Sequence, residues 1–167
     1  GAMPRDDAVA GRRPPARVLG DMNDKLRQRH FGSRVLAMTF AVYDAATRSL
    51  SLAGSGLPHP RRLRAGVVEP IPIEGVPLGL LPDRCYDQVD IQLGDDEVVV
   101  IYSDGVEETR DADEQEFGRE RIDAVLRQHA HASAAEIADA LIDATDQFAG
   151  EDDGFDDRTV VVLKALG

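Results

Sequence analysis

The hydrophobic periodicity of this 167-residue chain changes from strand-type to helix-type near residue 103, and this change restricts the fold class. Between residues 34 and 102, short apolar or alternating runs are separated by glycine, proline and aspartate, which is typical of strands joined by turns. Beyond residue 103 apolar residues recur at helical spacing, and a β-branched run follows at residues 159–163. Strands in succession, then helices, predict an α+β fold with a mostly antiparallel sheet rather than a doubly wound one.

The strand-type runs differ in how strongly they predict burial. Strands are predicted at residues 34–43, 48–53, 61–65, 67–73, 89–93, 98–102 and 159–163. The run VVVIY at 98–102 is apolar without alternation, which predicts burial on both faces. The run at 34–43 is also apolar enough to predict a buried strand.

Three helices are predicted from their start and stop signals. The first begins at the Pro14-Pro15 pair and runs to about Arg29, because proline is tolerated in the first turn of a helix. The second covers residues 117–129, and the third begins at a capping box formed by Ser133 and Glu136 and stops at Gly150.

The start of the chain lacks any apolar periodicity. Residues 1–13 begin with Gly-Ala-Met, which is typical of a cloning remnant, and are predicted to form a tag and a disordered leader. Residues 14–167 are predicted to form one domain.

Composition excludes several classes of function. A net charge of −12 argues against a nucleic-acid binder, because phosphate neutralisation needs clustered lysine and arginine. No apolar run reaches the roughly 20 residues that a membrane-spanning helix needs, so no membrane insertion is predicted. The single cysteine, Cys85, excludes an internal disulfide and a multi-cysteine zinc site. Without a signal peptide, a cytoplasmic location is expected.

Acidic residues stand at the ends of two predicted strands. Asp104 and Gly105 follow the VVVIY strand, and Asp156 and Asp157 precede the last strand. If these strands are antiparallel neighbours, both acidic features reach the same sheet edge. Carboxylates converging there suit Mg²⁺ or Mn²⁺, and the tight turn that Gly105 permits would let its carbonyl approach the metal. The alternative is that Asp104-Gly105 is only a turn and Asp156-Asp157 only a solvated loop.

Five short motifs in the same order carry a resemblance to a known family. They are PARVLGDMNDKL, FAVYDAATRSLSLAGSGLPHP, GVPLGLLPD, VVVIYSDGVEETRDADEQEFG and FDDRTVVVL. Together they resemble the C-terminal two-thirds of a bacterial SpoIIE/RsbU-like phosphatase, a branch of the PPM (protein phosphatase 2C-like) metal-dependent family. The resemblance implies an antiparallel β-sandwich flanked by helices, here without the N-terminal strands of that fold.

The resemblance also implies an activity and a set of site residues. The family hydrolyses phosphoserine or phosphothreonine with two Mn²⁺ or Mg²⁺ ions, through water that the metals activate and without a covalent intermediate. Asp104 resembles the aspartate of the family's S/T-D-G motif, and Asp156 resembles the first aspartate of its D-D/N-x-T motif. Both would ligate the same metal, while Asp157 aligns with a more variable neighbour.

Two departures from the family pattern leave the activity of these 167 residues open. The family's first metal motif, an aspartate followed by G-x-G, is not found, so one metal ion or none is expected here rather than two. Where the family has A-N-A-G-H, Gly54 and Leu57 stand at the asparagine and histidine positions. The chain is either a truncated piece or a degenerate relative that keeps the fold for binding. A truncated sheet would expose a strand edge, which predicts a homodimer.

The resemblance implies a substrate class and a rival function. The substrate would be a phosphorylated bacterial signalling protein, such as a STAS-type anti-sigma-factor antagonist in sigma-factor regulation and stress response. The alternative is a non-catalytic binding module in the same partner-switching pathway. Arg61, Arg62 and Arg64 form a basic cluster, which is either a solvated strand face or a contact for a phosphorylated or acidic partner.

Overall fold

The computed structural model describes residues 13–28, 35–150 and 157–167. In these residues the elements follow the order α1 (Pro15–Gln28), β1 (Met38–Asp44), β2 (Ser49–Ser55), β3 (Arg61–Arg64), β4 (Val67–Pro70), β5 (Gln88–Gln92), β6 (Val98–Tyr102), α2 (Asp104–Glu107), α3 (Gly118–Gln128), α4 (Ala134–Ala149) and β7 (Val160–Lys164). They divide into two units that interleave along the chain. The first unit contains the described residues up to Asp44 together with Ser49–Gly56 and Ile73–Ile91, and the second contains Ala45–Arg48, Leu57–Pro72 and the described residues from Gln92 onwards.

The first unit contains α1 and a three-stranded sheet in the order β1-β2-β5. β1 and β2 form an antiparallel hairpin in which Met38 pairs with Ser55 and Asp44 with Ser49. The buried core of this unit brings Leu19 of α1 together with Ala53, Leu78 and Tyr86. α1 therefore buries one apolar face, as its spacing predicts.

The second unit contains a four-stranded sheet in the order β4-β3-β6-β7. The pairs β3–β4, β3–β6 and β6–β7 are all antiparallel. α4 packs against β7, and α3 packs against α4 and against the β3–β4 hairpin. Ten buried residues form the core: Leu63, Val98, Val100, Tyr102, Val106, Phe117, Ile122, Leu126, Ile137 and Leu141.

The structure confirms the predicted α+β class with antiparallel pairing, the three predicted helices and the capping box. The Ser133 hydroxyl accepts a bond from the Glu136 amide, and Gly150, at φ 71°, ends α4. The β6 run is buried at every position except Ile101, which is half-buried. Residues 1–12 of the predicted leader lie outside the described residues.

Two predictions about local structure are wrong. The first predicted strand is shorter and less buried than expected: β1 begins at Met38, and none of its residues is fully buried. The turn expected at Asp104-Gly105 is instead the first turn of α2, and Gly105 is buried within it. A four-residue helix is too short to produce a periodic apolar pattern, so the sequence gives no helical signal there.

In the residues that the structure describes, every helix is too short or too polar to cross a membrane.

Candidate functional site

The end of β6 and the start of β7 lie at the same edge of the second unit's sheet. The two strands are antiparallel, and Tyr102 at the end of β6 pairs with Val160 at the start of β7. Asp104 follows Tyr102 by two positions, and Asp157 precedes Val160 by three. The predicted backbone arrangement is therefore confirmed for Asp104 and Asp157. Asp156, the other predicted ligand, lies outside the described residues.

Asp104 is half-buried at the start of α2. Its Oδ1 accepts a hydrogen bond from the Gly105 amide at 3.1 Å. Throughout the described residues, no arginine or lysine pairs with this carboxylate. Its negative charge is therefore not neutralised by a described cationic side chain, which suits a cation ligand.

Gly105 is buried and does not have the positive φ that the predicted tight turn would need. Its carbonyl accepts a hydrogen bond from the Thr109 hydroxyl at 2.7 Å. This bond ties the residues that follow α2 back to the helix. A carbonyl oxygen has two lone pairs, so metal ligation by Gly105 stays a prediction.

Ser103 joins the two sides of the edge, and sequence reasoning did not single it out. Its amide donates to the Thr159 carbonyl at 3.0 Å. Its hydroxyl donates to the Asp157 carbonyl at 3.1 Å and accepts from the Thr159 amide at 2.9 Å. The only signal in the sequence is the serine of the S-D-G motif itself, one residue before the predicted ligand.

The far end of α2 is fixed by Glu107, whose side chain is largely buried. Glu107 accepts a hydrogen bond from Arg119 Nε at 2.7 Å and one from the Tyr102 hydroxyl at 3.4 Å. Burial, and then the charge of Glu107, raise the pKa of Tyr102, so this tyrosine stays a neutral donor. Because Glu107 is committed to these partners, Asp104 is the less constrained carboxylate of α2.

Arg158 anchors the start of β7 on its other side. Its guanidinium donates to the Thr145 hydroxyl at 2.9 Å and to an Asp146 carboxylate oxygen at 2.5 Å. Both partners belong to α4. The chain entering β7 is therefore held by α4 through Arg158 and by β6 through Ser103.

The donor chemistry of this edge fits a hard divalent cation. Carboxylate oxygens are the ligands that Mg²⁺ and Mn²⁺ take, and Asp104 and Asp157 supply them on adjacent strand ends. No group of three or more His, Cys, Asp or Glu side chains that could hold a metal occurs among the described residues. Mg²⁺ usually keeps several waters and is bound through one or two carboxylates, so a site at this edge would take part of its ligands from water.

The basic cluster on β3 is largely paired within the second unit. Arg61 is buried and forms two bonds to Asp123 of α3, at 2.7 and 2.5 Å. Arg62 pairs with Glu97 at 2.5 Å, and Arg64 reaches the same carboxylate at 3.1 Å. The expectation of a solvated strand face is wrong for Arg61, because a partner on a distant helix neutralises it. Arg64, whose side chain is 65% exposed, is the most accessible of the three.

In the first unit, the surroundings of Gly54, which the resemblance aligns with the family's asparagine, leave little room for a side chain. A Cβ at Gly54 would lie 2.8 Å from Ile73 Cδ1. A Cβ at Gly75 would lie 2.0 Å from the Gly54 carbonyl oxygen. The contact at Gly75 is with backbone, so Gly75 must be glycine for the two segments to approach this closely, whereas a side chain at Gly54 would have to displace the Ile73 side chain.

Comparison with family models tests the family resemblance of the five sequence motifs. The model for stage II sporulation protein E (SpoIIE) matches residues 5–166, which is nearly the whole chain. The chain belongs to the SpoIIE family. A comparison with curated proteins gives no match.

Solved structures that are similar to this chain include PP2C-type phosphatase domains. The chain is similar to the SiaA-PP2C domain of Pseudomonas aeruginosa, with a TM-score of 0.80 and 22% identity, over 93% of this chain and 62% of that one. It is also similar to the phosphatase domain of the cell fate determinant SpoIIE from Bacillus subtilis (Mn presoaked), with a TM-score of 0.65 and 16% identity, over 95% of this chain and 77% of that one.

A third similar structure contains the RsbU and RsbW domains of Rv1364c from Mycobacterium tuberculosis. Its TM-score is 0.62 at 18% identity, over 86% of this chain and 40% of that one. The chain thus spans less than two thirds of the SiaA domain and of the Rv1364c chain. At these identities the similarity establishes the fold, which is the α+β fold of PP2C-type phosphatase domains.

Proposed function

We propose that this SpoIIE-family chain is the part of a metal-dependent protein serine/threonine phosphatase that contains the β6–β7 edge of its active site. The observation that carries the proposal is the antiparallel pairing of β6 with β7, which brings Asp104 and Asp157 to one edge. Family membership and the fold of phosphatase domains support it.

Mn²⁺ or Mg²⁺ would be held by Asp104 and Asp156, with Asp157 and the Gly105 carbonyl as further candidates. When bound, such metals activate water as a nucleophile and offset the charge of the transferring phosphoryl group. The chain's own task is to orient the carboxylates. Glu107 and Arg158 do this by fixing α2 and the start of β7.

The substrate we propose is a phosphorylated signalling protein, with a STAS-type anti-sigma-factor antagonist as the specific candidate. The resemblance to SpoIIE/RsbU-like phosphatases supports this class. Arg64 is the most exposed cation of the β3 cluster, and Arg62 would still pair with Glu97 if Arg64 turned to an acidic or phosphorylated partner. Homodimer formation stays a prediction that light scattering at high protein concentration can test.

A non-catalytic binding module is the second candidate. The observation that favours it is Gly54, which by the resemblance stands at the position of the family's asparagine and cannot supply a side-chain amide. Such a module would use the same fold to hold a phosphorylated or acidic partner.

Hydrolysis of a phosphoserine peptide, with and without Mn²⁺, separates the two candidates. The variant is Asp104→Asn, which keeps the size of the side chain and removes its charge. The matched control is Asp139→Asn, an exposed aspartate on α4. The phosphatase proposal predicts Mn²⁺-dependent phosphate release that Asp104→Asn abolishes and Asp139→Asn retains.

Two results would contradict the phosphatase proposal. Equal release by wild type and Asp104→Asn would remove Asp104 from the site. Absence of release from the wild-type chain, combined with retention of the phosphorylated antagonist protein on an affinity column, would favour the binding module.

A further inference from the structure

Ser103 occupies a helix N-cap position but does not use its hydroxyl to cap the helix. It precedes α2 with extended backbone angles, φ −79° and ψ 159°, and forms no side-chain cap bond. A serine at this position usually accepts a bond from an amide two or three residues into the helix. Ser133 does so at the start of α4, where its hydroxyl accepts from the Glu136 amide at 3.3 Å.

The Ser103 hydroxyl is directed instead across the sheet edge. It donates to the Asp157 carbonyl at 3.1 Å and accepts from the Thr159 amide at 2.9 Å, so both functions of the hydroxyl are used. The Ser103 amide also donates to the Thr159 carbonyl at 3.0 Å. Together these three hydrogen bonds of Ser103 extend the β6–β7 pairing beyond Tyr102. They attach residues 157–159 to the residue immediately before Asp104.

This arrangement has a consequence for any ion held between the two strand ends. Asp104 belongs to a helix that Glu107 fixes at its other end, whereas Asp157 is exposed and precedes the first residue of β7. Binding an ion between the two strand ends costs less conformational entropy if the segment that enters β7 is already ordered. The Ser103 hydroxyl contributes to that order with two bonds to backbone groups of this segment, in addition to the bond from the Ser103 amide and the anchoring of Arg158 by α4.

We propose that Ser103 is a positioning residue, which holds the chain that enters β7 at a fixed distance from Asp104 and so prepares the edge for a divalent cation. The inference rests on the proposed function, because it assumes that this edge binds Mn²⁺ or Mg²⁺. It requires a side chain that both donates and accepts a hydrogen bond. Threonine meets this requirement, and alanine does not.

The test measures Mn²⁺ affinity of the whole chain by isothermal titration for wild type, Ser103→Ala and Ser103→Thr. Outer residues that orient metal ligands typically contribute a 10–100-fold effect on affinity. We expect Ser103→Ala to weaken Mn²⁺ binding by about tenfold or more and Ser103→Thr to stay within a few-fold of wild type. Ser133→Ala is the matched control, because it also loses a serine hydroxyl bond in the second unit and is expected to leave affinity unchanged.

Amide hydrogen exchange in the absence of metal provides a second, independent measurement. Ser103→Ala removes the acceptor of the Thr159 amide, so this amide is expected to exchange faster than in wild type, and Ser133→Ala is expected not to change it.

The possible results distinguish failure of this inference from failure of the proposed function. If wild type binds Mn²⁺, Asp104→Asn does not, and Ser103→Ala binds as tightly as wild type, the metal site stands and the positioning role is overturned. If wild type does not bind Mn²⁺, or Asp104→Asn binds it equally, the proposed site and the positioning role are both overturned. Faster exchange at Thr159 with unchanged affinity would reduce Ser103 to a structural link.

Discussion

Replacing Arg61 by methionine should lower the free energy of unfolding of the second unit by more than the replacement of a solvent-exposed arginine would. The guanidinium forms a two-bond pair with Asp123, at 2.7 and 2.5 Å, and the two residues are only 7% and 9% exposed. Breaking a buried ion pair by removing one partner costs about 3–5 kcal/mol, because it leaves an uncompensated charge. Arg127 lies 3.9 Å from Asp123 and is half exposed, so it offsets only part of this cost. We expect a loss of about 3 kcal/mol.

Urea denaturation of Arg61→Met, Asp123→Leu and the double variant measures this quantity. The free energy of unfolding of an ordinary domain is about 5–15 kcal/mol. A loss of about 3 kcal/mol therefore lowers the urea midpoint by a clearly measurable amount. Replacing both charges by apolar groups is often nearly neutral, and the double variant should therefore be less destabilised than the sum of the single variants by at least about 2 kcal/mol. Additive effects, or a loss below about 1 kcal/mol for Arg61→Met, would refute the reasoning.

Three further predictions concern close packing, helix propensity and a helix start. Gly75→Ala should destabilise the first unit by about 1–3 kcal/mol, because its Cβ would lie 2.0 Å from the Gly54 carbonyl oxygen, whereas Gly20→Ala in α1 should stabilise it by about 0.5–1 kcal/mol. A urea midpoint below that of wild type for Gly75→Ala and above it for Gly20→Ala would confirm both predictions. Midpoints equal to that of wild type would contradict them. Hydrogen bonds from the Ser133 backbone and side chain lower the pKa of Glu136, so Glu136→Gln should reduce stability at neutral pH. That difference should disappear as the pH falls below the ordinary value of 4.5 and through the lowered pKa, and thermal melts at several pH values that show a constant difference would contradict it.

Elements with a strong local pattern were predictable from the sequence. VVVIY predicts a buried strand, and β6 lies at the centre of the second unit's core. The capping box of Ser133 and Glu136 predicts the start of α4, because both partners lie within one turn. The antiparallel pairing of β6 and β7, which was the condition for bringing Asp104 and Asp157 to one edge, also holds.

Features that depend on distant partners were not predictable in this way. Arg61 belongs to a basic cluster that suggests a solvated strand face, but its partner Asp123 is 62 residues away on α3. The Ser103 hydroxyl bonds to residues more than 50 positions along the chain, and no local rule indicates this. Periodicity identifies which face of an element is apolar, whereas polar pairs across elements require the tertiary structure.

Paramagnetic broadening by Mn²⁺ in the amide spectrum of the labelled chain is the most direct test of the central claim. Substoichiometric Mn²⁺ should broaden the amides of residues 103–106 and 157–159 first, since the claim places the ion between the end of β6 and the start of β7. Asp104→Asn should abolish this selective broadening, whereas Asp139→Asn should preserve it. Broadening that begins in the acidic loop at residues 111–116, or that spreads uniformly over the acidic surface, would contradict the account.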